Sequence, residues 1–159
     1  MTNLRYSEYL DSLTTAKRRV AEEAVSQYLA GEADMPTKVF NSQDLYQASR
    51  HLSNKDEEYI ILVCMDIRNQ ITKKVEIAKG GLTACDADIR AIMRAALLNN
   101  SVNIALVHNH PSGYDKPSKA DDELTKKLRK ACDLLFIRLL DHVIVAGNNY
   151  YSYRDYGRL

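Results

Sequence analysis

The chain has 159 residues, with 22 lysines and arginines against 21 acids (formal charge +1); 45% of its side chains are hydrophobic and 27% charged. That length suits one main domain with a core that needs no staples, and that charge balance gives no global attraction to nucleic acid or anionic membrane. Three cysteines without a C-x-x-C pair, no signal-like apolar core in "MTNLRYSEYLDSL" and no apolar run of about 18 residues argue against a disulfide scaffold, secretion and membrane insertion, so a cytoplasmic setting is expected.

In chain order, residues 15–30 place Val20, Ala21, Ala24, Val25, Tyr28 and Leu29 at helical spacing, and Gly31 stops the pattern. The stretch 31–40, with Pro36, reads as a connection, and 41–52 as a short helix capped by Asn41 or Ser42. "YIILVCMD" is a continuous apolar run, the pattern of a strand buried on both faces. Residues 66–70 read as a turn and 71–80 as the returning strand of a hairpin.

Residues 86–100 predict a helix started by Asp86 or Asp88, with Ile89, Ile92, Met93, Ala96 and Leu97 on one face. "VNIALV" is a second buried strand, and it leads directly into "HNHPSGYDKPSKAD". A helix over 118–135 and two strands, "IRLLDHVIVAG" and "YYSYRDYG", complete the chain. The order predicts an α/β (α+β) domain over 41–159, a mixed sheet flanked by helices, with a helical extension over 1–40.

The chemistry concentrates at His108 and His110. Alternation along a strand turns both imidazoles to one face, where they can share an ion, although polar residues also cap strand ends without a metal. Ser118-Lys119-Ala120-Asp121 has the form of a helix-capping box, and it also sets Asp121 where it could complete a ligand set. Pro111, Gly113 and Pro117 make a tight loop able to fold that helix start back onto the strand end. Two imidazoles and a carboxylate leave a tetrahedral zinc one open position, where the pKa of a water falls to about 7. Hydrolysis then needs a carboxylate base and a donor to the oxyanion.

"HNHPSGYDKPSKAD" resembles the JAMM (JAB/MPN) metalloprotease signature, H-x-H-P, a short spacer and S-x-x-D, in the form of its RadC-like branch. The resemblance runs from about Glu58 to the C-terminus and takes in "LLDHVIV" and "YYSY". It implies a cytidine-deaminase-like sheet architecture and one zinc per chain held by His108, His110 and Asp121. It further implies Ser118 as oxyanion donor and Glu58, at the head of the first apolar strand, as general base. Glu57 and Glu76 are rivals for that role, and His142 in "LLDHVIV" is read as a core residue rather than a ligand.

Two departures stand out. Where RadC-like domains often carry Pro-Arg-Glu, this chain has Ile89-Arg90-Ala91, and it has no glycine before Gly31 for a helix-hairpin-helix. A zinc nucleobase deaminase is excluded, since H-x-E and P-C-x-x-C are absent. The expectation is a zinc metallopeptidase acting on a peptide or isopeptide bond of a peptide or protein substrate. The alternative is a nucleic-acid or DNA-repair accessory protein without that activity. Membrane partners are not expected, and homo-oligomerisation stays open.

Overall fold

The computed structural model describes residues 37–80 and 87–159. The helix expected over 15–30, most of the extension expected over 1–40, and Cys85 and Asp86 lie outside the described residues.

A hairpin forms one side of the sheet: β1 (Tyr59–Met65) pairs antiparallel with β2 (Ile71–Lys79). Its turn is organised by Asp66, whose Oδ1 accepts from the backbone N–H groups of Arg68 (2.8 Å) and Gln70 (2.9 Å). Asn69 takes φ 61° there, a left-handed conformation that asparagine tolerates. Lys38 bridges to Gln70, so the end of the segment expected as a plain connection extends the sheet edge.

β3 (Asn103–Asn109) lies against β1 antiparallel and against β4 (Arg138–Ala146) parallel, and β5 (Asn149–Ser152) closes the order β2-β1-β3-β4-β5. Strand alternation sorts this sheet into two apolar layers. Ile60, Leu62, Ile104 and Leu106 face α2 (Ile89–Leu98) and α3 (Lys119–Leu134). Ile61, Val63, Ala105 and Val107 face α1 (Ser42–Ser49). β1 is apolar throughout, and β3 is apolar from Ile104 to Val107, because protein covers both of their faces. A mixed sheet with helices on each side is the α/β architecture that the element order implies.

The helix starts also follow the sequence. Asn41 caps α1 through a capping box with Asp44, and Asp88 caps α2. The last stretch differs: "YYSYRDYG" stays in the sheet only to Ser152, then turns over Tyr153–Gly157. Asp141, buried on β4, causes this. Its Oδ1 accepts from His142 N (2.7 Å) and Arg154 N (3.0 Å), and its Oδ2 from Ser152 Oγ (2.6 Å), which bends the chain off the strand. Among the described residues, no helix is long and apolar enough to cross a membrane.

The layer around β3 is the one on which the fold leans. Leu106→Ala, at a fully buried position, is expected to cost about 2–5 kcal/mol in urea unfolding. Leu98→Ala, at a position 77% exposed, is expected to change stability by no more than about 0.5 kcal/mol.

Candidate metal centre

The register that directs Ile104 and Leu106 toward α3 also directs His108 toward it. The chain continues in line for one more residue, with His110 N donating to Val145 O at 2.9 Å. The loop then reverses through Gly113, whose φ of 75° favours glycine and whose N–H returns to His110 O. It climbs to Ser118, the N-cap of α3. Lys116 sits over the rings of Tyr151 and Tyr156 and fastens this loop to the body of the domain.

The capping box over Ser118–Asp121 forms, and it serves the site as well. Asp121 Oδ2 accepts from Ser118 N (2.7 Å) and Ser118 Oγ (2.6 Å), while its Oδ1 lies 3.2 Å from His108 Nε2. One carboxylate thus caps α3 and faces His108. Ser118 Oγ also accepts from Asp121 N at 3.2 Å, so its single proton points to Asp121.

Glu58 arrives from the head of β1, and a residue that the sequence reading passed over places it there. The side chain of buried Asn109 accepts from Tyr59 N (2.7 Å) and donates to Glu57 O (3.0 Å), bracketing Glu58 on both sides. Gly80 N closes on Glu58 O at 2.9 Å. A side-chain amide supplies the acceptor and the donor that this bracket needs on two separate atoms.

The electrostatics follow from counting protons. His110 Nδ1 lies 2.7 Å from Tyr114 O, and a carbonyl only accepts, so Nδ1 carries the hydrogen and neutral His110 presents a bare Nε2. That Nε2 is 3.0 Å from His108 Nε2 and 3.6 Å from Asp121 Oδ2. Glu58 Oε1 stands further back, 4.0 Å from His108 Nε2. Ligand-type atoms of Glu58, His108, His110 and Asp121 all lie within 4.8 Å of one another. Side-chain exposure falls from 20% at Glu58 and 15% at His110 to 7% at Asp121 and 1% at His108, so the cluster has a mouth and a floor.

Acceptors packed this closely need a positive charge among them. With protons alone, burial would raise the Asp121 pKa, but the imidazoles of His108 and His110 and the Ser118 hydroxyl hold it far below the usual carboxylate range. Burial works against charge on His110 too, yet its contacts with Asp121 and Tyr114 O leave its pKa raised. A metal ion meets the same need. Two imidazole nitrogens with carboxylate oxygens are a donor set suited to zinc or a similar transition ion, and poorly matched to the all-oxygen shells of calcium or magnesium.

The remaining expected residues are distributed around this centre. Glu57 turns outward to Lys79 Nζ at 3.5 Å, and Glu76 is exposed on β2 opposite Ile61. Arg90 pairs with its neighbour Asp88 in solvent. The C-terminal tyrosines stack within the protein, Tyr151 on Tyr156 and Tyr46 on Tyr150, and Tyr153 is buried with its hydroxyl on Asp122. Within α3, Thr125 and Leu128 are buried.

A divalent transition ion is therefore expected to raise the melting temperature of metal-free protein, by about 2.7 kcal/mol of stabilisation at one hundred times its Kd. The raised His110 pKa fixes the sign of the pH dependence. Its protonated pair is fully stabilising below about pH 6.5 and is lost as pH rises through the folded value, so the metal-induced gain grows on the alkaline side. Thermal melts at pH 6 and pH 8, with and without zinc, check this; a gain that shrinks toward pH 8 contradicts it.

The family model described as RadC-like JAB domain matches residues 39–158. A UPF0758 protein of Streptococcus gordonii is 40% identical over 119 residues, 74% of this chain and 53% of that protein. A UPF0758 protein of Chlorobaculum tepidum is 39% identical over 127 residues, covering 79% and 57% respectively. One from Streptococcus agalactiae is 36% identical over 125 residues, covering 78% and 55%. The chain spans about half the length of the curated relatives it matches. On the match over residues 39–158, the chain belongs to the RadC-like JAB domain family.

Proposed function

We propose that this domain is a zinc-dependent hydrolase that cleaves a peptide or isopeptide bond. One observation carries the reading: three tightly grouped acceptors, His108, His110 and Asp121, with a fourth, Glu58, set back at the mouth. The three would hold the ion, which supplies Lewis acidity and brings the pKa of a water down to about 7. Glu58 Oε1 stands 4.0 Å from His108 Nε2, farther than the 3.2 Å of Asp121 Oδ1, and its side chain is exposed enough to meet an incoming water. It accepts the proton of the attacking water and returns it to the leaving nitrogen.

Asn109 keeps that carboxylate aimed by holding the backbone on both sides of it. Ser118 orients Asp121 in the arrangement described, and it serves as an oxyanion donor by turning its hydroxyl from Asp121 to the substrate. The peptide or isopeptide substrate rests on the family resemblance, whereas hydrolysis rests on the acceptor cluster and its base.

Zinc-loaded wild type and Glu58→Gln, compared on peptide and isopeptide-linked substrates, test the proposal. The substitution is expected to slow cleavage by at least about 100-fold while zinc content stays unchanged. Loss of zinc on the substitution would instead make Glu58 a ligand, and undiminished cleavage would remove it from the mechanism. DNA binding that falls steeply with salt on a log–log plot, without any cleavage, would favour the accessory role.

A further inference from the structure

Behind His108, on the side away from the cluster, lies a chain of buried polar groups that the hydrolytic reading does not use. His108 Nδ1 is 2.8 Å from His142 Nε2, His142 Nδ1 is 2.6 Å from Thr125 Oγ1, and Thr125 Oγ1 is 2.7 Å from Asp121 O. His142 is fully buried at the middle of β4, and Thr125 is buried one turn along α3 from Asp121. The ring of His142 is stacked on Tyr153 with centroids 4.9 Å apart and 5° between planes. Tyr153 is in turn held by its hydroxyl on Asp122 (2.8 Å).

The proton inventory of this chain has one solution when both histidines are neutral. A carbonyl only accepts, so Thr125 gives its single hydroxyl proton to Asp121 O. Thr125 Oγ1 must then accept, which places a hydrogen on His142 Nδ1 and leaves His142 Nε2 bare. That bare nitrogen accepts from His108 Nδ1–H. Neutral His108 is thereby left with its lone pair on Nε2, the atom that faces Asp121 Oδ1 and His110.

We propose that His142 and Thr125 are positioning residues that fix the tautomer and ring orientation of His108, so that its Nε2 is presented as a metal ligand. The relay starts and ends on ligand residues. Asp121 supplies its carboxylate to the cluster and its backbone carbonyl to the far end of the chain. Helix α3 and strands β4 and β3 are thus registered through the same buried bonds that set the ligand. The backbone oxygen of Tyr114 does the equivalent for His110 with a single bond. Partners of this kind hold ligand imidazoles in place and typically account for about 10–100-fold in metal affinity.

The inference rests on the metal reading above, and the test separates the two. Zinc affinity is measured by competition with a chromophoric chelator for wild type, Thr125→Val, Thr125→Ser and His142→Phe, with urea unfolding as the check on folding. Thr125→Val keeps the side-chain shape and removes the hydroxyl, so it is expected to weaken zinc by about 10–100-fold. Thr125→Ser restores the relay and is expected to stay within about threefold of wild type; His142→Phe, if folded, is expected to match or exceed the loss in Thr125→Val.

Imidazole nitrogen-15 shifts supply a readout independent of zinc, and in wild type His142 is expected as the Nδ1–H tautomer. Folded Thr125→Val with wild-type zinc affinity, or a His142 carrying its hydrogen on Nε2, would overturn the positioning role alone. Wild type that binds no zinc would overturn the metal reading itself.

Discussion

At the end of β3 the imidazoles of His108 and His110 and the carboxylates of Asp121 and Glu58 face one another, and the arrangement of the domain around them follows from that crowding. Bare imidazole nitrogens 3.0 Å apart and beside a buried carboxylate repel unless a cation lies among them. Protons meet the need by charging an imidazole against Asp121, and a metal ion meets it with all four groups in their neutral or anionic ligand forms. The elements that supply the acceptors come from three parts of the chain: the head of β1, the end of β3 and the first turn of α3. Each is fixed by its own local bonds before any ion is considered.

Those local bonds divide the work. Asn109 clamps the backbone on either side of Glu58, the capping box aims Asp121, and Tyr114 O and His142 orient the two imidazoles from behind. Buried polar groups are costly when left unpaired, so a site with this many of them is either fully satisfied or unstable. Among the described residues, the buried side-chain polar atoms without a hydrogen-bond partner are the hydroxyls of Ser49 and Ser101, neither of which belongs to the cluster or its supports.

Much of this was legible in the residues. Continuous apolar runs marked β1 and β3 as strands covered on both faces, and the alternation rule put His108 and His110 on one side. S-x-x-D announced both the start of α3 and the return of Asp121. What escaped was polar residues inside apolar or charged stretches. His142 in "LLDHVIV" reads as a core histidine, and nothing in the local sequence marks Thr125 or Asn109 as supports of the site. Their roles depend on contacts across 17, 34 and 50 residues of chain, which no local pattern encodes. The end of β5 escaped for the same reason, since Asp141, 11 residues before Ser152, turns the chain off the sheet.

The proposed zinc site at the end of β3, with His108, His110 and Asp121 as ligands, can be examined at the metal itself. X-ray absorption at the zinc edge, on protein loaded with one equivalent, examines that coordination shell directly. Only nitrogen and oxygen neighbours at about 2.0–2.2 Å are expected, with the outer-shell scattering of two imidazoles. Sulfur neighbours at about 2.3 Å, or a shell without imidazole, would contradict it.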